Sequence, residues 1–187
     1  LDRTAKLYVG GRQVRPDGGY SRPVAAVDNS LAGEVGEGSR KDIRNAVEAA
    51  HAAASWGRSS AHGRAQVLFF LAENLEARAS EFAQRIRDLT GTDGEEEVHA
   101  AIARLMYYAG WCDKFEGVVH PALGGRIVFA MPEPIGVLGL VCPQSHPLLG
   151  LVSMIAPAIA VGNTVVVIPS EEAPLVATDF YQVLDTS

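Results

Sequence analysis

The chain has 187 residues, with 16 Lys and Arg against 22 Asp and Glu and a formal net charge of −6. At 48% hydrophobic and 20% charged residues it has the composition of a folded globular protein, which excludes a disordered one. The acidic balance also argues against a protein that grips a phosphate backbone, so no nucleic-acid partner is expected.

The N-terminal stretch Leu1-Asp2-Arg3-Thr4 has no apolar core of a secretory leader, and it begins with Leu, as a piece of a longer protein would. Residues 1–38 carry short β-prone runs, at Lys6 to Val9, Arg12 to Val14 and Arg22 to Val27. Gly10-Gly11 and Gly18-Gly19 separate them, and Asp17-Gly18 is a common tight-turn pair, so this segment is expected to form β-hairpin strands.

Residues 39–116 are expected to be helical. Ser39 with Asp42 three residues on forms a box-like cap, and Ile43, Val47, Ala50 and Ala54 follow at helical spacing. Ser60 is placed to cap a second helix with Val67, Leu68, Leu71 and Leu75 on one face. Ser80 is placed to cap a third, ending near Thr90-Gly91. A fourth stripe joins Val98, Ala101, Ile102, Leu105, Ala109, Cys112 and Phe115. Each stripe is apolar on one side and charged on the other, as in helices that cover a core.

Residues 117–170 change character, with only Arg126 and Glu133 charged. Gly125 to Ala130 is a candidate strand, and Gly136 to Cys142 a second, nearly all apolar. Pro147 suits the first turn of a helix running to Val161, with Gly162 at its C-terminal stop. Thr164 to Ile168 is a valine-rich third strand, and Pro174 opens a last helix. Two apolar strands joined by a helix predict a parallel βαβ unit buried on both faces, hence the α/β class. The apolar run Leu148 to Ile168 is broken by Gly150, Ser153, Pro157 and Gly162-Asn163, so no membrane span is expected.

Chemistry-bearing motifs are few. His51, His62, His99, His120 and His146 do not pair at metal-ligand spacing, so no metal is expected. Gly33-Glu-Val-Gly36-Glu-Gly38 has the wrong spacing for a dinucleotide-binding glycine motif. Cys112 and Cys142 are too few for a disulfide framework, which points to a reducing, cytoplasmic location. Cys142, four residues before His146, invites a nucleophile reading, but a strand-end cysteine is expected to pack as a small hydrophobe. The turns Cys142 to Pro147 and Ile168 to Glu171 leave the carboxyl ends of the two strands, where ligands bind in open α/β sheets.

Those turns carry a resemblance. Glu133-Pro-Ile-Gly-Val-Leu-Gly through Pro143-Gln-Ser-His-Pro147 resembles the aldehyde dehydrogenase stretch in which E-P-x-G-V-x-G leads to P-W-N-F-P. Ala156-Pro-Ala-Ile-Ala-Val-Gly-Asn-Thr through Pro169-Ser-Glu171 resembles that family's A-P-A-L-A-x-G-N-T-V-V-x-K-P-A-E. Tyr107-Tyr-Ala-Gly-Trp-Cys-Asp-Lys114 is similar to its Y-Y-A-G-W-A-D-K helix, and Leu7-Tyr-Val-Gly-Gly11 to its opening hairpin. The resemblance implies the N-terminal part of that fold. Residues 1–38 would be oligomerisation-type strands, 39–116 a helical segment, and 117–187 a partial dinucleotide-binding, Rossmann-like segment.

It also implies NAD as the family's cofactor, with cofactor positions at Cys142, Pro143, Gln144, Ser145, Ile168, Ser170 and Glu171. Two of these depart from the family. Ser145 stands where the family places the oxyanion-binding Asn, a loss that typically costs ~10²–10³ in rate. Ile168 stands where the family Lys reaches the ribose, while Glu171 keeps an acceptor. No stretch resembles the G-Q-x-C nucleophile loop or the E-L-G-G base motif. The expectation is a noncatalytic module that binds no NAD, most similar to the second module of the tandem family 16 enzymes. It would pair with itself or with a catalytic aldehyde dehydrogenase module, through an exposed edge at Thr164 to Ile168. The alternative is the front part of an NAD(P)-dependent aldehyde dehydrogenase.

Overall fold

A computed structural model describes residues 4–187, so part of the N-terminal stretch examined for a leader lies outside the described residues. Two antiparallel hairpins come first. β1 (Leu7–Tyr8) pairs with β2 (Gln13–Val14), and β3 (Ser21–Ala25) with β4 (Leu31–Gly36). Gly10 and Gly11, at φ 61° and 71°, close the first hairpin, a backbone that side chains rarely tolerate at two successive residues. Asp17-Gly18 does form a turn, but it joins the two hairpins rather than closing one. β4 occupies the segment considered above only as a failed glycine motif. Its pairing with β3 and with Ala5, rather than its own β-propensity, holds it extended.

The helices follow. α1 (Arg40–Ala52) starts with the expected capping box, and the Asp42 carboxylate also accepts from the Asp17 backbone N–H at 3.1 Å. α2 (Ala61–Ala77) is capped by Ser60. α3 (Ala79–Thr90) follows after the single residue Arg78. That short link leaves Ser80 inside the first turn, so it does not cap as expected. Gly91, at φ 72°, ends α3. α4 (Gly94–Trp111) is capped by Asp93 and stops before Phe115, which is exposed rather than part of the stripe. A Cβ at Gly94 would lie 2.1 Å from the Ala83 carbonyl oxygen, so only glycine lets α4 leave α3 at this distance.

β5 (Val118–Ala122) and β6 (Arg126–Ala130) form an exposed antiparallel hairpin turned by Gly124 and Gly125. β6 matches the expected strand, and β5 is an addition. β7 (Val137–Val141), α5 (Pro147–Ala160) and β8 (Thr164–Ile168) make the parallel βαβ unit, in register from Val137↔Thr164 to Val141↔Ile168. α6 (Pro174–Asp185) closes the chain, and Tyr8 of β1 stacks on its Tyr181 with ring centroids 5.1 Å apart. The architecture is the expected α/β class.

α5 is the most apolar helix and packs on α4 and α2, sharing one core with Leu68, Leu71, Val98 and Leu105 and with Phe82 and Ile86 of α3, which lies against α4 and α6. Its last carbonyls are satisfied from outside. Trp56 Nε1 donates to the Ile159 oxygen and Arg64 Nε to the Ala160 oxygen, both at 2.9 Å.

The expectation of a sheet buried on both faces does not hold. Leu140, Val165 and Val167 pack into the core. The opposite face faces α1 across a groove of about 510 Å³ lined by Ile43, Val47, Val137, Gly139 and Val166. α1 lies against this face without closing it at the carboxyl end of the strands, where Val141 is 67% and Ile168 48% exposed. Among the described residues no helix is long and apolar enough to cross a membrane.

Candidate functional site

Because β7 and β8 are parallel and in register, the turns that follow them emerge side by side. This brings Cys142 to Ser145 and Ile168 to Glu171 to one edge of the sheet. The two groups contribute unequally.

Cys142 is 3% exposed; its N–H extends the ladder to the Ile168 oxygen at 2.9 Å, and burial pushes its thiol pKa up. Burial does the same to Cys112. A thiol held neutral in an apolar setting is a poor nucleophile, which agrees with the packed-core reading of Cys142. Pro143 packs over Gly150, where a Cβ would meet its ring at 2.7 Å. Ser145 is exposed, and its hydroxyl makes no hydrogen bond among the described residues. His146, also exposed, sits in the left-handed region at φ 52°, ψ 65°, directly before α5, and contributes no side-chain cap.

The cap of α5 comes instead from Glu97 on α4. Its Oε1 accepts from the backbone N–H groups of Leu148 at 2.8 Å and Leu149 at 3.0 Å. A carboxylate there satisfies orphan donors and complements the helix dipole. The residue is 4% exposed, and its Oε2 is buried with no partner. Glu97 ends the acidic run Glu95-Glu96-Glu97 and is not among the candidate residues of the sequence. A usable signal was present: Glu97 lies four, eight and twelve residues before Ala101, Leu105 and Ala109, and so falls on the buried stripe.

On the other strand end, Ile168 turns its side chain to the open groove. Ser170 is buried, and its Oγ accepts from the Ala173 N–H at 3.2 Å. Glu171 is exposed; Arg22 Nη2 of β3 donates to its carbonyl at 2.6 Å, and its carboxylate makes no hydrogen bond among the described residues. Gln144 spans the gap between the two turns, with its Oε1 2.8 Å from the Glu171 N–H. The edge thus offers two exposed carboxylates, Glu171 and Glu172, and one exposed hydroxyl. Among the described residues no group of three or more His, Cys, Asp and Glu is placed to hold a metal.

Comparison with known proteins gives a consistent picture. A family model described as the aldehyde dehydrogenase family matches residues 15–187. Aldehyde dehydrogenase family 2 member B4, mitochondrial, of Arabidopsis thaliana is 39% identical over 150 residues, 76% of this chain and 28% of its own length. The solved structure of PnpE from Pseudomonas sp. WBC-3 superposes with a TM-score of 0.94 at 31% identity, covering 98% of this chain and 39% of that one. A betaine aldehyde dehydrogenase from Staphylococcus aureus, solved in complex with NAD+, has a TM-score of 0.89 and covers 97% of this chain and 39% of its own. At 24% identity it speaks to the fold alone. The chain therefore spans roughly a third of the length of these relatives, matching the N-terminal part of their fold.

Proposed function

Because the chain belongs to the aldehyde dehydrogenase family, we propose that it serves as a noncatalytic module of that fold, with a structural, oligomerising or partner-docking role. The observation that carries this reading is the pair of side chains at the two adjacent strand ends. Ser145 and Ile168 stand where family members present an amide and an ammonium. The residues present fit NAD poorly. Ile168 offers a ribose no hydrogen bond, and the Glu171 and Glu172 N–H groups are already taken by Gln144. What remains for a ribose hydroxyl is the Glu171 carboxylate, with the exposed Glu172 carboxylate and Ser145 hydroxyl on the same edge. The resemblance to the second module of the tandem family 16 enzymes supports the same reading.

Partners follow from the surface. The apolar hairpin β5–β6 and the groove beside β7–β8 favour a second copy or a catalytic aldehyde dehydrogenase module. Two buried free cysteines favour a reducing, cytoplasmic setting.

A second reading has specific support. The family match covers residues 15–187, and the Glu171 carboxylate stays available. On this reading the chain is the front part of an NAD(P)-dependent aldehyde dehydrogenase that converts an aldehyde to a carboxylic acid. Calorimetric titration with NAD+ separates the two. The noncatalytic reading expects no heat of binding from the wild-type chain. A dissociation constant in the micromolar range, about −8 kcal/mol, overturns it.

A further inference from the structure

Parallel neighbours in a sheet share backbone hydrogen bonds only along the strands. Here the last such bond is Cys142 N–H to the Ile168 oxygen. Beyond it the two turns separate, and the chain has to run from Pro169 to Pro174, the first residue of α6, without a ladder. Among the N–H groups of that stretch, three successive ones with no strand or helix partner stand out, those of Glu171, Glu172 and Ala173. All three are held by side chains. Ser170 Oγ takes Ala173, and Gln144 Oε1 takes Glu171 at 2.8 Å and Glu172 at 3.2 Å. The same Gln144 oxygen accepts from Ser170 Oγ at 3.0 Å. One amide oxygen from the first turn thus gathers three donors from the second.

We propose that Gln144 is a latch that locks the two strand-end turns into one lip, set by the chain's own side chain rather than by a ligand. The latch reaches further than the sheet. Arg22 grips the Glu171 carbonyl from the opposite side, so the position of the lip is also shared with the β3–β4 hairpin. Gln144 acts here as a positioning residue, and the latch operates whether or not the chain takes part in catalysis.

Amide hydrogen exchange across residues 168–175 tests it. In Gln144→Met, which keeps the side-chain length and removes the acceptor, exchange at Glu171 and Glu172 is expected to rise about tenfold. The amides of α2, α4 and α5 should keep their protection. Gln144→Ser, too short to reach, should behave as Gln144→Met does. Gln144→Glu, which restores an acceptor oxygen at the same reach, should restore slow exchange. The proposal fails if both loss variants stay within about twofold of wild type, or if Gln144→Glu exchanges as fast as Gln144→Met. It also fails if both loss variants raise exchange throughout the helical core, because a local latch leaves that core intact. NAD+ binding by the wild-type chain would overturn the noncatalytic reading and leave these exchange outcomes unchanged.

Discussion

The two faces of the β7–β8 sheet are both largely apolar and differ in how tightly they are covered. On one, Leu140, Val165 and Val167 join a core built around α5. On the other, Val137, Val141, Val166 and Ile168 line an open groove in front of α1. An apolar strand pattern therefore reports that a face can be buried, not that it is. Whether burial is realised depends on how closely the covering layer fits, and α1 leaves a groove where α5 does not.

The sharpest way to break this contrast is Leu148→Ala, at the buried start of α5. On the packed side it should cost about 3–5 kcal/mol by denaturant unfolding, because transfer and cavity terms add. A loss below about 1 kcal/mol would mean that the packed face is as loose as the open one. Next is the anchor of that helix. Glu97→Ala strips the acceptor from two N–H groups at a buried helix end and should cost about 1–3 kcal/mol. Glu97→Gln keeps an acceptor and should recover most of the loss, seen as a midpoint near wild type in the same unfolding experiment. The smallest effect belongs to the open face. Ile168→Lys should change stability by no more than about 0.5 kcal/mol, since the side chain is half in water. A much larger cost, growing with protein concentration, would mean that a second copy covers the groove.

Features fixed by near neighbours were legible in the sequence. Ser39 with Asp42, Ser60, Gly91, Pro147, Gly162 and Pro174 each mark a helix end through contacts within four residues, and the structure places helix ends there. Features decided at a distance were not. β4 carries two glycines and little β-propensity, and it is a strand because β3 lies beside it. β5 is interrupted by Pro121 and depends on β6 in the same way. Ser80 has a capping side chain, but the one-residue link at Arg78 starts the helix ahead of it. In the candidate site, family motifs pointed to Gln144, Ser145, Ile168 and Glu171, and all four lie on one edge of the sheet. They said nothing of Glu97, a carboxylate from another helix, nor that Gln144 spends its oxygen on the neighbouring turn. Both contacts join residues 27 to 52 positions apart, beyond the reach of local pattern.

The contacts of the first two hairpins carry a consequence in time. Tyr8 reaches the Asp185 carboxylate 177 residues away, and Arg22 reaches Glu171 149 residues away. On a ribosome the hairpins emerge well ahead of α6. These strands must therefore wait, unpartnered at their docking faces, until the chain as far as α6 has emerged. The helices from α2 to α4, whose partners lie close in sequence, can settle meanwhile. During synthesis these hairpins stay exposed to chaperones until α6 has emerged to receive them.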